Sequence, residues 1–153
     1  MSQTTNTNTQ QTPHIQHPRF AKYYERMSQN RGERRFFEPL RRELIEQAHG
    51  LVLEIGAGNG LNFSLYLPEK VSRVEAIEPD TTMLKYARSR LALAHVPLNL
   101  TQATAEALPF ADGLFDCVVA TLVFCSVTDP ARSFQEIRRV LKPDGLHIFT
   151  IPV

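Results

Sequence analysis

Three glycines at alternate positions follow a short apolar run that contains an acid. The run covers residues 52–55 and includes Glu54, and Gly56, Gly58 and Gly60 follow it. This pattern predicts a buried strand that turns through a glycine loop into a helix, which is how α/β folds bring a nucleotide-like ligand close to bare backbone. An ordinary tight turn between a strand and a helix is the alternative interpretation.

The spacing of the glycines narrows the class of ligand. A dinucleotide fingerprint needs its third glycine at position 61, because the helix N-terminus holds the pyrophosphate only at that offset. This chain has Leu61 there, and its third glycine is Gly60. We therefore do not expect the loop to bind NAD.

A second acid, Glu78, closes a second strand pattern at residues 74–77. In a doubly wound sheet, a carboxylate at the tip of the second strand lies beside the first loop, where it can accept hydrogen bonds from both hydroxyls of a ribose. We predict that Glu78 binds a ribose. The alternative is that Glu78 only caps the helix that begins near Asp80.

The second half of the chain contains three further strand patterns. Residues 98–102 and 114–120 predict the third and fourth strands, and residues 146–151 predict a fifth. Between the last two patterns, Asp129 and Pro130 have the residue types that begin a helix.

That helix is predicted to run to Leu141. Pro143 and Gly145 follow it, and both residue types stop helices. Strands that alternate with helical segments predict an α/β fold with a parallel sheet.

Taken in order, these blocks resemble the class I S-adenosylmethionine (SAM)-dependent methyltransferases of the type 11 group. The resemblance rests on E-x-G-x-G-x-G from residue 54, A-E-A-L-P-F from residue 105, L-F-D-C-V from residue 114 and R-R-V-L-K-P-D-G from residue 138. The block L-V-F-C-S-V from residue 122 is similar to the thiol methyltransferase-like branch and its bacterial ubiquinone-menaquinone relatives.

This resemblance covers roughly residues 20–153 and implies both a fold and an activity. The implied fold is Rossmann-like: a doubly wound, mostly parallel sheet in three αβα layers. The implied cofactor is SAM, and the implied activity is methyl transfer from SAM to a small or lipophilic acceptor.

The resemblance also implies roles for individual residues. Glu54 is expected to orient the glycine loop and the methionine ammonium group, and Thr121 with Leu122 to contact the methionine end. Thr104 stands where most relatives carry an aspartate that accepts from the adenine amino group, so that bond is expected to be weaker here or to pass to backbone and Glu106. The full expected set of cofactor-binding residues is Glu54, Gly56, Ala57, Gly58, Gly60, Glu78, Pro79, Met83, Thr104, Ala105, Glu106, Thr121 and Leu122.

No catalytic residue is predicted. Methyl transfer from a sulfonium is an in-line displacement that needs alignment and exclusion of water, so it requires neither a triad nor a metal. The five histidines show no ligand spacing among themselves or with Cys117 and Cys125, so no metal site is expected. Both cysteines are predicted to be packing residues.

The chain stops just after the predicted fifth strand, whereas the resembling enzymes continue with a helix and two more strands. We therefore expect a sheet without the usual sixth and seventh strands, and an exposed fifth-strand edge that makes the chain a homodimer, prone to aggregation or only marginally stable. The alternative to an intact enzyme is a truncated, non-catalytic module that binds SAM or serves in interactions.

The start of the chain differs in composition from the rest. Residues 1–17 are rich in Thr, Gln and Asn and are predicted to be a disordered tail, and residues 18–153 a single domain with its core at 50–153. Residues 19–49 predict a leader of two helices that are divided at residues 30–32. Its apolar residues are spaced for helix faces, and its interleaved acids and bases predict a solvated face.

The overall charge excludes some partners. Seventeen basic and sixteen acidic residues give a net charge of +1, which provides no field for nucleic acid. The sequence has neither a signal-peptide pattern nor a run of about 20 apolar residues, so we expect a cytoplasmic protein without a transmembrane segment.

Overall fold

The computed structural model describes residues 16–121, 123 and 126–150, and their five strands form one sheet in the order β3-β2-β1-β4-β5. Every neighbouring pair is parallel. The strands are β1 (Gly50–Ile55), β2 (Val71–Ile77), β3 (Leu98–Thr101), β4 (Phe115–Thr121) and β5 (Leu141–Thr150). The predicted tail lies almost wholly outside the described residues.

Within the described ranges, four α-helices accompany the sheet, and two of them begin at a capping aspartate. They are α1 (Pro18–Ser28), α2 (Glu38–Ile45), α3 (Thr81–Arg90) and α4 (Pro130–Val140). The Asp80 carboxylate accepts from the backbone N–H groups of Thr82 and Met83 and so caps α3. The Asp129 side chain accepts from the backbone N–H of Arg132 and caps α4, as its residue type predicts.

Helices cover both faces of the sheet. One core cluster joins Ile45 of α2 and Ala87 of α3 to Val52 of β1. The other joins Ile137 of α4 to Leu53, the next residue of β1. Successive strand residues point to opposite faces, so β1 is buried on both sides. The predicted doubly wound, three-layer α/β fold is confirmed, and the described sheet is wholly parallel.

The predicted helix after the glycine loop is wrong. The chain instead forms successive turns, in which the backbone N–H groups of Gly60, Phe63 and Leu65 each donate to a carbonyl three residues earlier. The segment is short because Pro68 follows it, and the residue before a proline is disfavoured in the helical conformation. The loop therefore has no helix N-terminus at its end.

The fifth strand begins earlier than predicted. Leu141 pairs with Phe115, and the next pair is Leu146 with Cys117, so residues 142–145 bulge opposite Asp116. The Lys142 ammonium group lies 2.6 Å from Asp116 Oδ1, which fixes the bulge to β4. The K-P-D-G segment does end the helix, but as a bulge within a strand rather than as a turn before it.

The leader has the two predicted helices, α1 and α2, with a π-helical segment at Glu33–Phe37 between them. The predicted solvated charged face is wrong for three residues: the side chains of Glu25, Glu33 and Arg41 are 12–16% exposed. Several apolar residues of the leader are exposed instead, namely Phe20, Tyr23, Met27, Phe36, Phe37 and Leu40.

Candidate cofactor site

The predicted site residues lie mainly at the carboxyl ends of adjacent strands. The glycine loop follows β1, Glu78 follows β2, and Thr121 ends β4. Strand β1 pairs with β2 on one side and β4 on the other, so the chain reverses its direction of winding beside β1. In open α/β sheets, ligands bind in the crevice at this switch point.

The three loop glycines have different surroundings. All have positive φ, at +66° for Gly56, +56° for Gly58 and +83° for Gly60. A Cβ atom on Gly56 would lie 2.4 Å from Val123 Cγ2, and one on Gly60 would lie 2.8 Å from the ring of Phe63. A Cβ atom on Gly58 would meet nothing nearer than 4.0 Å. Gly58 is therefore the loop residue with open space in front of it.

Glu78 is joined to the glycine loop. Its Oε2 accepts from the backbone N–H of Gly58 at 2.9 Å, and its Oε1 accepts from the backbone N–H of Asp80 at 2.8 Å. Burial raises the pKa of Glu78, and the two N–H donors oppose that rise. Each carboxylate oxygen has a second lone pair for a further donor. The helix cap is Asp80, so the alternative role of Glu78 as the cap is wrong.

Glu54 lies behind the loop in a buried polar cluster. Its Oε1 accepts from Asn62 Nδ2 at 2.9 Å, and its Oε2 accepts from the Tyr66 hydroxyl at 2.8 Å. Asn62 Nδ2 also donates to Thr121 Oγ1 at 3.1 Å. Glu54 thus fixes the turn that follows the loop and connects β1 to the end of β4.

Burial sets the ionisation of Glu54. The loss of hydration raises the pKa of its carboxyl to about 7, although the bonds from Tyr66 and Asn62 oppose the rise. A nearby cation would favour the charged form. Asn62 Oδ1 is also buried and has no hydrogen-bond partner among the described residues. A carboxylate and an orphaned acceptor together fit the ammonium group of an α-amino acid.

The leader holds the glycine loop through Asn59. Arg90 of α3 and Glu25 of α1 form a two-pronged ion pair with N–O distances of 2.9 and 2.6 Å. Asn59 Nδ2 donates to Glu25 Oε2 at 2.6 Å and to the Ser28 hydroxyl at 2.9 Å. Arg90 also donates to the carbonyl of Asn59 at 2.9 Å. Helices α1 and α3 are thus tied to both ends of one loop residue.

Other predicted residues have structural contacts nearby. The backbone N–H of Ala57 donates to the carbonyl of Ile77, and the carbonyl of Pro79 accepts from Gln102. Met83 is buried in the first turn of α3.

In the segment after β3, Ala105 is buried and Thr104 is half-buried. Glu106 accepts from the backbone N–H groups of Thr128 and Asp129, so one of its oxygens is directed towards the start of α4. Leu122 lies outside the described residues.

A cavity of about 160 Å³ opens between α1 and the π-helical segment. Its walls are formed by Tyr24, Met27, Ser28, Asn30, Gly32, Glu33 and Phe37. Ser28 belongs both to this wall and to the Asn59 cluster, so the cavity adjoins the glycine loop. Burial raises the pKa of the Tyr24 phenol, which keeps it neutral.

Other chemistry has little support in the described part of the chain. Burial raises the pKa of the Cys117 thiol to about 11, so it is a packing residue rather than a nucleophile. Among the described residues, no three His, Cys, Asp or Glu side chains come close enough together to hold a metal ion. No helix in the same residues has the length and hydrophobicity to span a membrane.

The parallel sheet and its switch point define a domain of the Rossmann-like α/β class. A family model described as a methyltransferase domain matches residues 53–149, which is more than half of the chain. The chain belongs to this methyltransferase family, and the resemblance found in its sequence blocks is confirmed.

Individual relatives agree with the family. The human thiol S-methyltransferase TMT1B is 37% identical over 126 residues, which cover 75% of this chain and 51% of that protein. The ubiquinone/menaquinone biosynthesis C-methyltransferase UbiE of Klebsiella pneumoniae is 37% identical over 99 residues, which cover 61% of this chain and 39% of that protein.

Among solved structures, the chain is similar to a SAM-dependent methyltransferase of Thermotoga maritima, described as a possible histamine N-methyltransferase. The TM-score is 0.66 at 30% identity, and 84% of this chain and 57% of that one are covered. The chain spans about half the length of the curated relatives it matches.

Sequence reasoning missed several residues of this region. Asn59, Asn62 and Tyr66 are polar residues in a short segment that also contains Leu61, Phe63 and Leu65, and this alternation of residue types is a signal that the sequence contains. Glu25 and Arg41 gave no such signal, since they belong to a run of alternating charges.

Proposed function

We propose that this chain binds SAM and belongs to an enzyme that transfers the methyl group of SAM to a small or lipophilic acceptor. The observation that carries the proposal is the open space in front of Gly58, at a switch point where Glu78 holds the Gly58 amide. The solved SAM-dependent methyltransferase at 30% identity supports the choice of cofactor.

Bound SAM supplies an electrophilic methyl group on a sulfonium, so the protein has to bind and orient SAM and the acceptor and to exclude water. Gly58 lets the ligand approach the backbone closely, and Glu78 has lone pairs for ribose hydroxyls. The buried cluster of Glu54, Asn62 and Thr121 takes the methionine end. Thr104 and Ala105 follow β3, next to β2, and are assigned to the adenine.

The cavity beside α1 is the proposed acceptor site. Its volume of about 160 Å³ suits a ligand of roughly the size of benzene, and Met27 and Phe37 give it an apolar lining. The human relative is named a thiol S-methyltransferase, which makes small thiols the first acceptors to test. A thiol ionises easily enough to need little help from a general base, so the site requires none for this acceptor.

A nucleic-acid acceptor is not part of the proposal. The net charge of +1 provides no overall positive field that would attract phosphates. The exposed aromatic side chains of the leader favour a lipophilic acceptor instead.

The test is turnover of labelled SAM with a panel of small thiols, quinols and amines. Met27→Trp fills the cavity and should abolish transfer to a small thiol, while the affinity for S-adenosylhomocysteine stays the same. Tyr23→Trp, at a more exposed position of the same helix, is the matched control. It should leave methyl transfer and the affinity for S-adenosylhomocysteine unchanged. Binding of S-adenosylhomocysteine without turnover of any acceptor would favour the alternative of a SAM-binding module.

We also propose that two copies of the chain pair through β5, which lies at one edge of the described sheet. Exposed apolar side chains of that strand, Leu146 and Phe149, support the proposal. Light scattering of the 153-residue chain should then show a dimer. A stable monomer at high concentration would contradict it.

A further inference from the structure

Six large apolar residues of the leader are exposed to solvent. Between 45% and 63% of each is accessible, and the six are Phe20, Tyr23, Met27, Phe36, Phe37 and Leu40. At roughly 200 Å² for each large side chain, they leave roughly 600 Å² of mostly apolar surface in water. The largest apolar patch on a typical monomer is no bigger than this, and such patches often mark a site of interaction.

On α1, the apolar residues form a stripe beside a second stripe of basic residues. Phe20, Tyr23 and Met27 are spaced at i, i+3 and i+7, which places them along one side of the helix. A basic residue precedes each of them by one position, so the basic residues form a parallel stripe about 100° away around the helix. The residues of this second stripe are Arg19, Lys22 and Arg26, and all three are exposed.

Helix α1 is bonded to α3 near both of its ends, which fixes its outer face. The backbone N–H of His17, just before the helix, donates to Asp80 Oδ2 at 2.7 Å. Near the other end, Glu25 forms its ion pair with Arg90. The two stripes are therefore held at the surface.

The folding of the leader makes its surface more basic than its sequence. Residues 18–45 contain eight Lys and Arg residues and four Glu residues. Two of these acids, Glu25 and Glu33, pair with arginines in largely buried positions, and Glu38 pairs with Arg42 at the surface. Six basic residues are exposed and form no ion pair among the described residues, namely Arg19, Lys22, Arg26, Arg31, Arg34 and Arg35.

The cavity beside α1 opens within this surface. Met27 of α1 and Phe37 of the π-helical segment both line the cavity, and both are about half exposed. The apolar stripe of α1 therefore continues past the cavity to the exposed apolar residues of the second part of the leader. There the Arg35 guanidinium lies 5.7 Å from the centroid of the Phe36 ring, so basic and aromatic groups are again adjacent.

We propose that these exposed apolar and basic side chains of residues 18–45, here called the leader face, bind an anionic lipid bilayer. Helices that lie in a membrane interface carry lysines and arginines on one side and aromatic and aliphatic side chains on the other. Such a helix rests on the bilayer, and none of the helices among the described residues is long and apolar enough to span one. The proposal goes beyond the proposed function, because binding to lipid requires neither cofactor nor acceptor.

A bilayer matches both properties of the leader face. Its anionic headgroups attract the basic side chains, and its acyl boundary removes the apolar side chains from water. A single-stranded nucleic acid would pair with the basic side chains and stack on the rings, but it would leave Met27 and Leu40 in water. The observations therefore favour lipid over nucleic acid.

Sedimentation with lipid vesicles tests the proposal. The 153-residue chain should bind mixed vesicles made of one part phosphatidylserine and two parts phosphatidylcholine. It should bind pure phosphatidylcholine vesicles about 10-fold more weakly or less, and added salt should release it from the mixed vesicles.

The basic stripe can be tested with a closely matched control. Arg26 and Arg138 are both exposed, and each is the ninth residue of an 11-residue helix that begins with proline. Helix α4, which contains Arg138, packs on the opposite face of the sheet from α3. Arg26→Glu should weaken binding to mixed vesicles about 25-fold, since each unit of charge near an anionic surface changes the affinity about fivefold. Arg138→Glu should leave it within about twofold of the parent chain.

The apolar residues have a control of their own. Phe36 is 62% exposed in the leader, and Leu93 is 56% exposed outside it. Phe36→Ser should weaken binding to mixed vesicles about 10-fold, because a large apolar side chain no longer leaves water. Leu93→Ser should not change the binding.

Equal binding to both kinds of vesicle, or equal losses in Arg26→Glu and Arg138→Glu, would overturn the proposal. Tighter binding to a single-stranded RNA probe than to mixed vesicles at physiological salt would also overturn it, and would make the leader face a nucleic-acid surface. Absence of vesicle binding in a chain that binds S-adenosylhomocysteine would refute this proposal alone. Vesicle binding without S-adenosylhomocysteine binding would refute only the proposed function.

Discussion

Substitution of Gly58 by alanine separates the cost of backbone strain from the loss of ligand space. The chain contains a matched control in Gly113, with φ of +58° against +56° at Gly58. A Cβ atom at Gly113 meets nothing within 4 Å, and one at Gly58 meets nothing nearer than 4.0 Å. Each glycine amide also donates one hydrogen bond: the Gly113 N–H donates to the carbonyl of Arg139, and the Gly58 N–H donates to the Glu78 carboxylate.

The two variants should therefore lose similar stability. A residue with a Cβ costs about 1–2 kcal/mol in this left-handed conformation, and the reduced entropy of the unfolded chain offsets part of that cost. We expect the free energy of unfolding to fall by about 1 kcal/mol in both Gly58→Ala and Gly113→Ala. Urea denaturation of the two proteins measures this directly.

Their ligand affinities should differ. Gly113 precedes β4 and so lies at the opposite end of the sheet from the candidate site, whereas the Cβ atom of Ala at position 58 would enter the open space. Calorimetry should show S-adenosylhomocysteine bound at least tenfold more weakly by Gly58→Ala, equivalent to about 1.4 kcal/mol, and unchanged by Gly113→Ala. Equal affinities for the two variants would refute the assignment of this space to the cofactor.

Three further outcomes follow from the charges around the loop. Because the pKa of Glu54 is about 7 in the fold, above its ordinary 4.5, the fold binds this proton more tightly than the unfolded chain does. The free energy of unfolding should fall by about 3 kcal/mol as the pH rises from 4.5 to beyond 7, and urea titrations should show a smaller fall in Glu54→Gln. Glu25→Gln should lower the free energy of unfolding by about 3 kcal/mol, because it leaves the Arg90 charge unpaired. In a double-mutant cycle, Glu25→Gln together with Arg90→Gln should lower the free energy of unfolding by less than the sum of the two single changes. Glu78→Ala should weaken S-adenosylhomocysteine by about 1–3 kcal/mol in calorimetry, and an unchanged affinity would remove Glu78 from the site.

The parts of the site that the sequence predicts are those set by local constraints. Glycine is favoured at the positive φ of residues 56, 58 and 60, and an acid that follows a strand can reach back to a neighbouring loop amide. Residue types and short spacings contain this information. The order of the strands follows similarly from alternating strand and helix patterns, which is why a parallel sheet was predictable.

The parts that the sequence does not predict depend on pairing across long separations. Glu25 and Arg90 are 65 residues apart, and neither residue type distinguishes a buried pair from a solvated one. The alternating acids and bases of the leader predict a solvated face, but the side chains of Glu25, Glu33 and Arg41 are largely buried. The sequence likewise predicts a helix after Gly60, whereas the chain forms turns in which Asn62 and Tyr66 donate to Glu54, an interaction that the local pattern does not indicate.

The inward charges of the leader connect the proposed acceptor site to the proposed cofactor site. Ser28 lines the cavity, and its hydroxyl also accepts from Asn59 Nδ2 within the glycine loop. Glu33, on the opposite wall of the cavity, pairs with Arg41, whose charge reaches Glu54. Two short chains of contacts thus lead from one site to the other through buried groups, where electrostatic interactions are weakly screened. The leader is therefore a structural part of both proposed sites, because Ser28 both lines the cavity and bonds to the glycine loop.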